Sequence, residues 1–287
     1  MKKMILFLLL VSFSCKPEAP SGKVIISVSI LPQKFFVEKI VGTQVKVNVL
    51  VPPGASPEFY SLMPSQMREL SKSAGWLRIG KIGFEESWSE KIRQSNPDLR
   101  IFDTSAGADW MTSEEKTPGD YSHLHGIDPH IWMAPDEVRK IVSETYKALL
   151  TILPKQEKLL TVNYNSFIRE IDQLDQELKS SFGQLQNRRF LIFHPALSYL
   201  ARQYNLEQIP LEVDGKEPSP KYMRSLVEQA KAGNIHVIFI QKEFEKDNAR
   251  QLADEINGEV VQIDPLNEQW DEQLREIAQK IIKASQK

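Results

Sequence analysis

Three of the chain's five histidines lie between His123 and His130, in the stretch His123-Leu124-His125-Gly126-Ile127-Asp128-Pro129-His130-Ile131-Trp132-Met133. Neutral imidazole is the commonest metal ligand among side chains, so this spacing points first to a metal site. His123 and His125 sit among Ser, Gly and Asp, as loop histidines can by chance, and alone they decide nothing. His130 differs. Pro129 stiffens the backbone before it, and the apolar run after it anchors it by burial. A metal ligand needs that kind of rigid placement.

Other polar residues fall where an alternating strand–helix pattern would bring them together. Val24–Ile30 and Val45–Val51 are β-branched runs with strand character. Short strands are expected at Trp76–Gly80 and Arg100–Phe102, with helices opened by Pro32 and Pro64 and a further helix near Glu85–Gln94. Residues 104–127 are polar and read as a surface loop. Pro135 opens a helix through Leu150. In Lys155–Leu185, the residues Leu160, Tyr164, Phe167, Ile171, Leu174 and Leu178 recur at spacings of four and three, one apolar stripe on a charged rod. A second series follows: strands at Arg189–His194, Glu207–Leu211, His236–Ile240 and Glu259–Ile263, and helices at Ala196–Tyr204, Ser219–Ala232, Lys246–Asn257 and Asn267–Ala284. Strands alternating with helices predict an α/β protein with parallel sheets. The long helix is a candidate spine between two lobes.

In open α/β sheets ligands bind beyond the carboxyl ends of the strands. Glu58 follows the second strand, in a loop carrying Pro52, Pro53 and Pro57. His194 ends the Phe190–His194 run, and Asp264 ends Val260–Asp264 before Pro265. With His130 these make two imidazoles and two carboxylates, a plausible set for a divalent ion. Each has an ordinary reading too. Glu58 could be a solvated loop acid, Asp264 a cap for the helix near Asn267, and His194 a satisfied core histidine. His236 begins its strand, belongs at the opposite sheet edge and reads as structural.

Bulk properties narrow the partners. The net charge of −2 offers no basic excess to neutralise phosphates, which argues against nucleic acid. Lys2 and Lys3 precede a short apolar run from Met4 to Val11, then Ser12-Phe13-Ser14-Cys15: a secretory signal over residues 1–14, too short to span a membrane. Cys15 directly after the apolar run suggests a lipid-anchored first residue, with residues 15–22 as anchor and tether. Lipidation would consume the only thiol, excluding disulfides and thiolate ligands. The domain reading is then 23–154 for the N-terminal lobe, 155–185 for the linking helix and 186–287 for the C-terminal lobe.

Several of these stretches together resemble the solute-binding lipoproteins of the zinc/manganese ABC importer family. Pro53-Gly54-Ala55-Ser56-Pro57 followed by Pro64-Ser65-Gln66 resembles that family's first ligand loop, and Asp128-Pro129-His130-Ile131-Trp132 its second ligand motif. Phe193-His194 with Tyr199 and Tyr204 resembles the third, and Ile263-Asp264-Pro265-Leu266 the fourth; Glu217-Pro218-Ser219-Pro220 matches a family loop. The resemblance implies two βα lobes on a rigid helix with the metal between them. It implies Glu58, His130, His194 and Asp264 as ligands and a membrane permease as partner. The chain departs from the pattern at Glu58, where the family usually has His, and in having only His123 and His125 where zinc members often carry a His-rich loop. Two carboxylates make a harder donor set, open to manganese or ferrous iron as well as zinc. Affinity should fall as pH drops and the imidazoles protonate.

The leading expectation is a monomeric, non-enzymatic metal-capture protein held outside the cytoplasm by a lipid anchor, with zinc the favoured cargo. A second is a metal-dependent hydrolase in which Glu243 or Glu245 activates water, although the chain has neither a His-Glu-x-x-His helix nor a Gly-x-Ser-x-Gly elbow. A third is a surface adhesin with incidental histidines.

Overall fold

The computed structural model describes residues 23–112, 126–212 and 218–286. The expected signal, tether and lipidated Cys15, the accessory His123 and His125, and Glu217 lie outside the described residues.

Two four-stranded parallel sheets form, as the alternating pattern predicts. The first contains β1 (Val24–Val28), β2 (Val45–Val49), β3 (Trp76–Arg78) and β4 (Ile101–Asp103), in the order β2-β1-β3-β4. Its helices are α1 (Leu31–Val41), α2 (Pro64–Leu70) and α3 (Gly83–Ser95). The second contains β5 (Arg189–Ile192), β6 (Glu207–Pro210), β7 (Val237–Gln241) and β8 (Glu259–Ile263), in the order β6-β5-β7-β8. Its helices are α6 (Ser198–Tyr204), α7 (Pro220–Ala232), α8 (Asp247–Glu255) and α9 (Trp270–Ala284). Proline stands in the first turn of α1, α2 and α7, where its missing N–H costs nothing.

Between the sheets run α4 (Pro135–Ile152) and α5 (Glu157–Gly183). The 27 residues of α5 make a rod of about 40 Å at about 1.5 Å per residue. Leu160, Phe167, Ile171, Leu174, Leu178 and Phe182 are buried along it. Lys155, expected inside this helix, instead lies in a 3₁₀ turn, Pro154–Gln156, because Pro154 blocks continuous helix from α4. The rod packs against α1, α4 and α9. At its centre Phe35 meets Phe167 at 5.7 Å, and Phe36 meets Trp270 of α9 at 5.4 Å, both edge to face. One apolar core thus runs from the first sheet across α5 to the face of the second sheet bearing Phe190 and Phe239; a smaller core fills the other face of the second sheet.

β1, β2, β3, β5 and β6 stop one or two residues before the alternation does, whereas β4 and β7 end one residue later than expected and β8 ends at Ile263 as expected. His194 therefore lies two residues beyond β5 rather than at its end, and α9 begins at Trp270 rather than Asn267. Asn267 instead closes a turn, its N–H donating to the carbonyl of Asp264 at 3.0 Å.

Candidate metal centre

Glu58 is held by its backbone. Gln66 of α2 closes the proline-rich loop on itself: its Oε1 accepts from the Tyr60 hydroxyl at 3.0 Å, and its Nε2 donates to the Leu50 carbonyl at 2.6 Å. From the other side the Phe84 N–H donates to the Pro57 carbonyl at 3.1 Å. Gly83, at the start of α3, sits so close that a Cβ there would lie 2.3 Å from the Glu58 carbonyl oxygen. Only glycine permits this approach. The helix start is itself tied down through the buried Glu85, whose carboxylate accepts from the Ile79 N–H at 2.8 Å and from the Ser29 hydroxyl.

His130 is fixed by Asp128, which is fully buried. Asp128 Oδ1 accepts from the His130 N–H at 2.9 Å and lies 2.9 Å from His130 Nδ1. An Nδ1–H donated to this carboxylate leaves the Nε2 lone pair for a metal and makes it more basic. The backbone around it is clamped from the second half of the chain. The Tyr199 hydroxyl donates to the Asp128 carbonyl at 2.8 Å, Trp132 Nε1 to the Pro265 carbonyl at 2.9 Å, and Trp270 Nε1 to the Trp132 carbonyl at 2.6 Å.

His194 comes from the second lobe. The Gln241 side chain at the end of β7 donates to its carbonyl and accepts from its N–H at 3.4 Å. Its ring lies between two carboxylates, with Nδ1 2.8 Å from Glu212 Oε2 and Nε2 3.2 Å from Glu58 Oε1. Burial pushes the imidazolium pKa down, but the hydrogen bonds and charges of Glu212 and Glu58 outweigh it and raise the pKa to about 10. Without metal this ring holds a proton at neutral pH.

Three of the four sequence-predicted ligands therefore converge: one ligating atom from each of Glu58, His130 and His194 lies within 4.8 Å of the others. Asp264 stands apart from this cluster. It accepts from Lys242 Nζ at 2.7 Å and from Asn267 Nδ2 at 3.2 Å. Glu243, with Gln241 and Phe244, lines the cavity over the three residues, although it too lies outside the 4.8 Å cluster. Burial pushes the Glu243 carboxyl up from its usual range, and the charge of Asp264 adds to the shift. His236 lies away from the cleft, its ring bonded to the Ile256 carbonyl and Asn234, a structural role.

Sequence reasoning missed the two carboxylates behind the imidazoles. Glu212 follows the end of β6 by two residues, so the strand-end rule that picked out Glu58 applied to it equally. Asp128 was visible two residues before His130. An acid there can accept both the backbone N–H and the ring N–H of the histidine.

Residues 26–284 match the family described as "Zinc-uptake complex component A periplasmic". A solved structure titled as the crystal structure of ZnuA is 35% identical, with a TM-score of 0.85, covering 92% of this chain and 100% of that one. A ZnuA deletion mutant with zinc bound is also 35% identical, with a TM-score of 0.82, covering 92% and 98%. A Chlamydia muridarum protein, provisionally named as metal-binding, is 28% identical over 92% of this chain and 94% of its own. The chain belongs to the periplasmic zinc-uptake component family, a family of solute-binding transport proteins.

Proposed function

We propose that this chain captures a divalent transition metal with Glu58, His130 and His194 and delivers it to the membrane permease of an ABC importer. The observation that carries the reading is the meeting of three ligand-type side chains from the two lobes, with ligating atoms within 4.8 Å. Zinc is the favoured cargo: two imidazoles suit it, and zinc is the ion named in the 35% identical structure. The carboxylate at position 58 keeps manganese and ferrous iron as competitors. Asp264, the fourth ligand that the family resemblance implies, lines the neighbouring cavity with Lys242 and Glu243. The lobes are residues 23–154 and 186–287 on the helix 155–185. Cys15 anchors the protein outside the cytoplasm, where it works as a monomer, and His123 and His125 serve as accessory donors.

Thermal denaturation of metal-stripped protein, titrated with Zn²⁺, Mn²⁺ and Fe²⁺ in turn, tests the assignment, since a ligand of the folded state raises stability by mass action. Zinc should give the largest shift. His130→Ala should abolish it, and His236→Ala should leave it intact. Equal effects of the two variants, or no shift with any ion, would refute the site.

A further inference from the structure

Two imidazoles and one carboxylate leave a tetrahedral zinc ion one donor short. We infer that in this chain the fourth protein ligand is Glu243 rather than Asp264, an inference that rests on the cluster proposed above and completes it.

The argument begins with strand register. β7 and β8 are parallel neighbours with Gln241 opposite Ile263. The next pair along is Lys242 and Asp264, and the ladder holds there too, the Lys242 N–H donating to the Ile263 carbonyl at 3.1 Å. Side chains at adjacent strand ends are within reach of one another, and here the ammonium takes the carboxylate at 2.7 Å. Asp264 is already engaged by a cation and by Asn267.

Glu243 is the next residue after Lys242, and the chain turns there, the Phe244 N–H donating back to the Gln241 carbonyl at 3.1 Å. The turn puts Glu243 into the wall of the cavity that Glu58, His130 and His194 line; Asp264 does not line it. Asp264 lines a neighbouring cavity with Lys242 and Pro52–Gly54, and Glu243 borders that one as well, so it forms the partition between the two. No ion pair among the described residues involves Glu243, although it is half-buried. A half-buried carboxylate in no close ion pair, feeling Lys242 and His194 only at longer range, gains more from an incoming ion than one that must first surrender a lysine at 2.7 Å. Phe244, its ring tilted against His194 with centroids 5.6 Å apart, packs the same turn against the histidine.

The test is a zinc titration of the purified full chain against a chelating dye, for wild type, Glu243→Gln, Asp264→Asn and His130→Ala. Glu243→Gln should weaken zinc binding about tenfold or more, and Asp264→Asn by no more than about threefold. Cobalt(II) in place of zinc reports the donors directly. Its visible absorption should change in Glu243→Gln and stay as in wild type in Asp264→Asn, whatever either variant does to stability. A loss with Asp264→Asn equal to or greater than that with Glu243→Gln overturns the inference. If His130→Ala binds zinc as tightly as wild type, it is the site itself that has failed, not only the choice of its fourth ligand.

Discussion

The two sheets share one strand order, yet they hold their metal-facing groups in different ways. In the first lobe the constraint is on the backbone. Glu58 sits in a proline-stiffened loop against Gly83, and the N–H of His130 is bonded to buried Asp128. In the second lobe Gln241 also holds the His194 backbone, but the ligand-type groups are tied further through their side chains. His194 lies between Glu212 and Glu58, and Asp264 is tied by Lys242, whose side chain is 53% exposed. A backbone constraint cannot be exchanged without moving the fold. An exposed ion pair is worth about 0–1 kcal/mol and exchanges readily. The first lobe therefore acts as a template, and the second is the half that can rearrange around an ion.

The contrast is sharpest at the two imidazoles. His130 Nδ1 lies 2.9 Å from the Asp128 carboxylate, whereas the His194 ring has a carboxylate at each nitrogen, Glu212 at 2.8 Å and Glu58 at 3.2 Å. With its pKa raised to about 10, His194 carries a proton that an incoming metal must displace. Apparent zinc affinity should rise about tenfold per pH unit, about a hundredfold between pH 7 and pH 9, measured by dye competition. The sign for folding is opposite. The raised pKa stabilises the metal-free fold fully below about pH 6.5, and that contribution is lost as pH rises through about 10. Metal-free protein should therefore melt lower at pH 9 than at pH 7 while its zinc affinity climbs. A flat affinity profile would mean that His194 is held neutral and that the lobes do not differ in this respect.

Next in size is the template itself. A Gly83→Ala methyl would meet the Glu58 carbonyl at 2.3 Å, and neither backbone can yield without moving the loop. Zinc affinity should fall about tenfold, because a ligand's support matters nearly as much as the ligand. Gly183→Ala is the control: nothing lies within 4 Å of the added carbon, so affinity should be unchanged. If Gly83→Ala binds zinc normally, the Glu58 loop is no more rigid than the second lobe.

The alternation of strands and helices, the spine and three converging residues were legible because each rests on local signals: β-branched runs, prolines at helix starts, a stripe of period 3.6, and polar residues just past strand ends. What the chain order hid was pairing across strands. Lys242 and Asp264 are 22 positions apart and meet only because β7 lies beside β8 in one particular register. Glu212 reaches His194 through the pairing of β6 with β5, and periodicity does not specify which strands pair. Glu243 was picked out from the sequence as a possible water-activating acid. Its place in the cavity wall depends on a turn that the residue types around it do not announce.

The smallest expected effect bears on the adjustable half. Lys242→Ala frees Asp264, adding a carboxylate within reach of the cleft. Because the lysine end of the pair is exposed, the gain in zinc affinity should be only about two- to fivefold. Its origin can be read from a double-mutant cycle. If Lys242 acts by holding Asp264, the gain should vanish in the Asp264→Asn background and survive moderate salt, since it reflects a side chain that has changed partners. Removing a positive charge near a cation site would also help zinc with no rearrangement at all, but that gain should persist without the Asp264 carboxylate and fade as salt shortens the range of the field. In that case Asp264 would be as fixed as Glu58, and the difference between the lobes would narrow to the proton on His194.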